Sequence, residues 1–263
     1  MEYRNKLVTV EFKPRRVALV TLNNPPLNLL TLPLRDEMNE VLRKLERDDA
    51  VRAVVLTGSG EKSFCVGADV KEFPEVWDDV VGKKLQKENE MINAIEFLSK
   101  PVVCAMEGTV CGGGFEMAMA CDIRILSDKG RIAMPEINLG VFPGSGGLYR
   151  LPKLVGPYKA MEMMYLGDFV DADECLRIGL VNKVAPAGRV VSEALEMAER
   201  IALKPFEAIK LIKKGVRNLG HQTTEASFID NLRYSREIFT TPDCVEGVDA
   251  FLNKRPPVFG GAD

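Results

Sequence analysis

The segment "KPVVCAMEGTVCGGGFEMAMACDIRI", residues 100–125, contains the features that decide the fold. A short apolar run leads into three consecutive glycines at residues 112–114, and a second apolar run ends the segment. Each glycine lowers helix stability by about 1 kcal/mol relative to alanine, so three together indicate a close approach of the backbone to another group. Glu116 follows in an otherwise apolar stretch, where a buried carboxylate also needs a partner or a function. We expect a buried strand, a tight turn and a helix.

Short apolar strands alternate with helical segments on either side of this stretch. The runs "LVTVEF", "RVALVTL", "VRAVVLTGSG" and "DIRILS" predict strands, and "LRDEMNEVLRKLERDD" has the apolar spacing of a helix. Such alternation is typical of βαβ units that cover a parallel sheet with helices. The sequence therefore predicts an α/β fold.

The chain becomes helical in pattern from about Pro186 onward, and Pro205 suits the first turn of a second helix. Too few strands follow to form another α/β domain. We therefore divide the chain into a core that contains the site, residues 1–200, and a helical C-terminal region, residues 201–263. The helical region is expected to pack on something else, for example a neighbouring subunit.

Composition excludes several classes of function. The 263 residues are 46% hydrophobic and carry a net charge of −3, so the core can be large and no nucleic acid or membrane partner is expected. The chain has one histidine, His221, and six scattered cysteines without a CxxC pair, so we expect no metal site of the usual Cys/His kind. Scattered reduced thiols suit a cytoplasmic protein. No apolar run approaches the roughly 18 residues of a membrane span.

Two glycine-containing turns follow predicted strands, in "GEKSFCVGADVKEF" (residues 60–73) and "VCGGGFE" (residues 110–116). A strand that enters a helix through glycines presents free N–H groups at the positive end of the helix. Two such turns side by side could direct two N–H groups at one oxygen, which is the geometry of an oxyanion hole. For one turn alone, tight packing of strand on helix is the simpler explanation. Neither turn matches the phosphate-binding pattern GxxxxGK[ST].

Two glutamates in apolar surroundings are the candidate acid and base. Glu116 follows the glycines, and Glu136 lies in "IAMPEINLG". Either one alone could be a charge at a helix start. Together near an anion-binding turn they are more specific, because burial and mutual repulsion raise one pKa and allow acid and base chemistry at neutral pH.

These residues resemble those of the enoyl-CoA hydratase/isomerase (crotonase) superfamily, and the resemblance extends over essentially the whole chain. Besides the opening segment, the matching stretches are "TLNNPPLNLL", "FCVGADVKEF", "MPEINLGVFPGSGGLYRLPKLVG" and "EGVDAFLNKRPPVF". The resemblance implies a crotonase-like β-β-α spiral core. It also implies a C-terminal helical oligomerisation region, which would form a homotrimer or a hexamer and part of the coenzyme A site.

The resemblance also assigns site residues. Ala68 and Gly113 would supply the N–H groups that hold a thioester oxygen, Glu116 and Glu136 would be the catalytic carboxylates, and Gly144 would be a backbone donor near the catalytic water. Positions that would contact the acyl-CoA are Leu29, Val66, Lys71, Phe251 and Lys254. Bulky residues expected at the acyl pocket are Phe73, Trp77 and Tyr149.

The implied activity is hydration of an enoyl-CoA, because both carboxylates are present and many isomerases of the family keep only the second. Coenzyme A would arrive as part of the substrate, with no other cofactor and no metal. Departures from the family pattern, Leu148 with Tyr149 in "GGLYRL" and Met134 before Pro135, would reshape the acyl pocket. Alternatives are an isomerase, a hydratase of cyclic or branched acyl groups, and a catalytically silent RNA-binding relative. The net negative charge and both glutamates count against the last.

Overall fold

The computed structural model describes residues 3–4, 6–219 and 222–260. Within these ranges the chain forms one sheet of seven strands and a smaller sheet of four. The larger sheet contains β1 (Tyr3–Arg4), β2 (Val8–Lys13), β3 (Val17–Leu22), β4 (Ala53–Gly58), β6 (Val102–Met106), β8 (Ile123–Ser127) and β11 (Lys183–Ala185). The smaller sheet contains β5 (Ser63–Cys65), β7 (Thr109–Cys111), β9 (Arg131–Ala133) and β10 (Val170–Asp171).

In the core the helices alternate with strands, and after β11 the described chain continues with helices α8–α11. They are α1 (Leu32–Arg47), α2 (Phe73–Val76), α3 (Gln86–Glu96), α4 (Gly113–Ala120), α5 (Gly147–Val155), α6 (Pro157–Leu166), α7 (Ala172–Arg177), α8 (Val190–Ala202), α9 (Phe206–Asn218), α10 (Thr224–Ile238) and α11 (Pro242–Leu252). Threonine side chains at positions 31, 223 and 241 accept a backbone N–H at the starts of α1, α10 and α11, which satisfies donors that have no partner inside the helix. Pro205 immediately precedes α9 rather than lying in its first turn.

Three successive strand pairs build the expected β-β-α spiral. In the pairs β4–β5, β6–β7 and β8–β9, the first strand joins the larger sheet and the second joins the smaller one. The neighbours β3, β4, β6 and β8 run parallel, as do β5, β7 and β9. Every residue of β6 is buried, as expected for a strand with a helix layer on both faces. The predicted α/β class with a parallel sheet is therefore confirmed.

Helices cover the larger sheet on both faces. The main core includes residues of α1, α3 and α4, among them Met38, Ile92 and Phe115. On the opposite face α8 places Ala194 and Ala198 against the apolar side chains of the central strands. The parallel strands are thus shielded from water, and the loops that follow them are free to build a site.

The C-terminal helices differ in how they are attached. Helix α9 is joined to the core by Lys213 and Arg217, whose cationic groups lie 2.8 and 3.0 Å from the carboxylate of Asp122. All three helices also carry exposed apolar side chains, among them Ile212 of α9, Phe228 of α10 and Val245 of α11. The domain division at residue 200 stays a prediction. No helix within the described ranges is both long enough and apolar enough to cross a membrane.

Candidate active site

Two glycine turns lie against each other at the ends of β5 and β7. Gly67 and Gly112 have φ angles of +88° and +55°, which residues with a side chain rarely adopt. A Cβ built on Gly67 would lie 3.0 Å from the amide nitrogen of Gly113. The turn that carries Ala68 and the turn that carries Gly113 are therefore in direct contact.

The third glycine of the run, Gly114, is required for a different reason. A Cβ on Gly114 would lie 2.3 Å from the carbonyl oxygen of Cys65, far inside van der Waals contact. Only glycine allows α4 to start this close to the end of β5. Gly113 is the first residue of α4, where a helix has N–H groups without helical partners and a positive end. The arrangement can therefore stabilise a negative charge that develops on an oxygen.

Glu116 lies in the first turn of α4 with its side chain buried. Its Oε1 accepts hydrogen bonds of 2.8 Å from the backbone N–H groups of Ser145 and Gly147. Burial raises the pKa of Glu116 to about 8, and the negative charges of Glu88 and Glu136 add to the rise, while the two N–H donors oppose it. Glu116 can thus exchange a proton near neutral pH.

Glu136 approaches the glycine turn from another direction. It belongs to a 3₁₀ turn, Pro135–Leu139, that follows β9, and its Oε1 would lie 3.4 Å from a Cβ built on Gly112. Both of its carboxylate oxygens are buried without a hydrogen-bond partner among the described residues. Burial raises the pKa of Glu136, and the charge of Glu88 contributes. Two buried carboxylates with raised pKa values thus lie beside the glycine turns, an arrangement that can serve as an acid–base pair.

Four residues near this pair are not identified by the sequence analysis: Arg35, Lys84, Glu88 and Ser145. Arg35 is fully buried, and its Nη2 lies 3.0 Å from Oε2 of Glu88. A signal exists in the sequence, because Arg35 and Glu88 occupy positions at helical spacing on the apolar stripes of α1 and α3. A charge on such a stripe predicts a buried ion pair.

Several residues assigned by resemblance lie near the turns. The Val66 N–H donates to the Leu27 carbonyl at 3.1 Å, which holds the first turn in place. Leu29 is half-buried beside the bridge between residues 30 and 68. The Gly144 carbonyl accepts a hydrogen bond of 3.1 Å from Asn89 of α3. Their contacts with substrate stay predictions.

Phe73 is the partly buried member of the three predicted acyl-pocket residues. The ammonium of Lys84 lies 5.5 Å from the centre of its ring, a cation–π distance. Trp77 is 74% exposed. Tyr149 is half exposed, and the guanidinium of Arg150 lies 4.7 Å from its ring centre. Of the three, Phe73 is the residue that contacts one of the four buried residues described above, namely Lys84.

The predicted coenzyme A contacts lie on exposed segments. Lys71 is exposed in the short 3₁₀ turn before α2. Phe251 is 83% exposed in the last turn of α11, and Lys254 follows the helix. No hydrogen bond or ion pair in the described part of the chain joins these side chains to the glycine turns. His221 lies outside the described residues.

Comparison with known proteins agrees with this geometry. The family model described as Enoyl-CoA hydratase/isomerase matches residues 13–262. The chain is 39% identical to the short-chain-enoyl-CoA hydratase of Clostridium acetobutylicum over 97% of each chain. It is 36% identical to the crotonyl-CoA hydratase of Syntrophomonas wolfei, over 98% of this chain and 99% of that one.

The solved structures give the same result. An enoyl-CoA hydratase from Bacillus anthracis superimposes with a TM-score of 0.93 at 32% identity, covering 97% of this chain and 100% of that one. The fold is therefore that of the crotonase superfamily, as expected. The chain belongs to the enoyl-CoA hydratase/isomerase family.

Proposed function

We propose that the protein adds water across the α,β double bond of an enoyl-CoA thioester to give a 3-hydroxyacyl-CoA. The observation that carries the proposal is the pair of buried carboxylates, Glu116 and Glu136, beside the two contacting glycine turns. The similarity to proteins named enoyl-CoA hydratases supports it. Coenzyme A enters as part of the substrate, and no separate cofactor is proposed.

The glycine turns would activate the thioester. Its carbonyl oxygen accepts hydrogen bonds from the N–H groups of Ala68 and Gly113, at the positive end of α4. As water adds, negative charge moves onto that oxygen, and each preorganised donor contributes roughly 3–4 kcal/mol of transition-state stabilisation. The glycines are required because a Cβ would keep the two turns apart.

The carboxylates would divide the proton transfers. Glu116 receives both N–H donors on Oε1, and no donor to its Oε2 is found among the described residues, so Oε2 is available to accept a proton from water. Hydroxide then adds to Cβ. Neither carboxylate oxygen of Glu136 accepts a hydrogen bond from another described residue, and burial raises its pKa, so it suits the role of the acid that gives a proton to Cα. In total, the reaction consumes one water molecule for each thioester hydrated.

Product analysis tests this function directly. Incubation of the purified protein with crotonyl-CoA is expected to yield a thioester heavier by one water, detected by mass spectrometry. An isomerase acting on a 3-enoyl-CoA would instead move the double bond at unchanged mass. RNA retention on filters that disappears with added salt, together with no turnover, would favour the binding-protein alternative.

A short or compact acyl group is the expected substrate. This expectation rests on Phe73, a bulky side chain that the resemblance assigns to the acyl pocket and that lies 5.5 Å from the ammonium of Lys84, itself paired with Glu88. We expect kcat/KM to be highest for four-carbon enoyl-CoA and to fall with chain length. A steady rise from four to sixteen acyl carbons would contradict this expectation.

The C-terminal helices are proposed to form the contacts of a homotrimer or a dimer of trimers. Exposed apolar side chains on α10 and α11, such as Phe228, Ile229 and Val245, are costly to leave in water. Cytoplasmic location is likewise a proposal, supported by the free thiols of all six cysteines, which lie within the described ranges.

Truncation after Leu203 is expected to abolish assembly and most activity. It removes α9–α11, together with the cations of Lys213 and Arg217 that pair with partly buried carboxylates of the core. Light scattering would report the mass, and crotonyl-CoA hydration the activity, with the full-length chain as control. A truncated protein that stays a soluble, fully active oligomer would show that the helices are dispensable.

A further inference from the structure

A third buried carboxylate, Glu88 of α3, lies beside the two proposed catalytic glutamates. Its Oε1 accepts a hydrogen bond of 2.8 Å from the Ser145 hydroxyl. Its Oε2 accepts one of 2.9 Å from the Lys84 ammonium and lies 3.0 Å from Nη2 of Arg35. All four side chains are buried. The carboxylate is therefore held from three directions and has little freedom to move.

Ser145 connects Glu88 to Glu116. Its hydroxyl donates to Glu88, while its backbone N–H donates to Oε1 of Glu116 at 2.8 Å. Two residues later, the N–H of Gly147 donates to the same Glu116 oxygen, also at 2.8 Å. The turn that holds Glu116 is thus itself anchored, at its first residue, by Glu88.

We propose that Glu88 is a positioning residue for Glu116: by fixing the Ser145 hydroxyl, it orients the two N–H groups that hold the proposed base. This inference rests on the proposed hydratase function. The link is a hydrogen bond to an ionised group, which is among the stronger kinds. Its loss should misalign the base in the transition state, so kcat falls. Oε1 of Glu88 would also lie 2.9 Å from a Cβ built on Gly113, so KM is expected to stay where Ser145, and not Glu88, is changed.

The charge of Glu88 provides an independent readout. Burial is the largest cause of the raised pKa of Glu116 and of Glu136, and the negative charge of Glu88 raises both further. Replacing Glu88 by glutamine removes the negative charge and leaves the neighbouring cations in place, so both carboxyl groups lose protons at lower pH. The other titratable groups that face the cluster are Arg35, Lys84, Glu72, Cys65 and Cys111.

The experiment is a double-mutant cycle measured by hydration of crotonyl-CoA. Ser145→Ala and Glu88→Met each remove the hydrogen bond, and each is expected to lower kcat about 10-fold, with KM little changed in Ser145→Ala. The double variant should be no slower than the slower single variant. Glu88→Gln keeps an acceptor for the hydroxyl, so it should regain most of kcat, and its kcat/KM profile should move to lower pH. In Ser145→Ala the charge of Glu88 stays, and the N–H groups that lower the pKa of Glu116 are held less firmly, so the profile should not move to lower pH.

A matched control is Glu37→Gln. Glu37 lies on the same helix as Arg35, and its carboxylate accepts N–H groups of Leu7 and Val8 rather than groups of the site. It should leave kcat and the pH profile unchanged.

Wild-type kcat in folded Ser145→Ala, or losses that multiply in the double variant, would overturn the inference. If the Glu88 variants do not fold because two buried cations lose their partner, the kcat of Ser145→Ala alone decides. An inactive wild type would contradict the proposed function and this inference together, whereas an active wild type with unaffected variants contradicts this inference alone.

Discussion

Glu116→Gln and Glu136→Gln are each expected to lower hydration by about 10²- to 10⁴-fold. Glutamine preserves the size of the side chain but can neither take the proton of water nor deliver one to Cα. Both side chains lie in surroundings that raise their pKa, which suits proton transfer near neutral pH. The neighbouring carboxylate of Glu88 is instead held by Ser145, Lys84 and Arg35. Initial rates of crotonyl-CoA hydration measure the effect, and circular dichroism checks that the variants fold.

Exchange of the α-hydrogen of a saturated acyl-CoA into D₂O separates the two roles. This exchange needs the oxyanion-binding turns and one base but no positioned water. We expect Glu116→Gln to retain a measurable part of it and Glu136→Gln to lose nearly all. Free exchange in Glu136→Gln but not in Glu116→Gln would reverse the roles. Full hydratase activity in both variants would show that the site lies elsewhere.

Gly114→Ala is expected to produce the second large effect. The new Cβ would lie 2.3 Å from the Cys65 carbonyl oxygen and 2.8 Å from the Cys65 Cβ, and a backbone atom in a buried strand cannot move aside cheaply. The start of α4 must therefore separate from β5, which pulls the Gly113 N–H away from that of Ala68. Loss of one aligned donor corresponds to about 10²–10³ in kcat, and the overpacking costs about 1–3 kcal/mol of stability.

Gly215→Ala is the matched control. Gly215 lies inside α9, and the nearest atom to its built Cβ, in the ring of Tyr234, is 3.8 Å away. Alanine is favoured over glycine in a helix by about 1 kcal/mol, so this variant should be as stable as the parent or more so, with unchanged kcat. Thermal unfolding and hydration rates measure both variants. A Gly114→Ala protein with parental stability and kcat would contradict the explanation given for the third glycine.

The strands and the site turns were predictable because their signals are local. Apolar runs mark β4 and β6, and the glycines before Glu116 mark a backbone that must approach another segment. The segment of α3 was assigned no element, although Glu88, Met91, Ile92 and Ile95 lie at helical spacing along it. Glu88 and Arg35 each stand out as a charge on an apolar helix stripe, but they are distant in sequence, so their pairing with each other follows only from the fold. Whether an exposed side chain such as Trp77 lines a pocket likewise depends on what covers it.

The proposed catalytic groups come from equivalent places in three successive strand pairs. Ala68, Gly113 and Glu136 each follow the last residue of β5, β7 and β9 by two or three positions. A chain with two of the three pairs docked would already contain much native secondary structure and bury much apolar surface, yet it would lack either a donor or the acid. During refolding, recovery of turnover should therefore coincide with docking of the last pair, after most of the far-ultraviolet signal has returned.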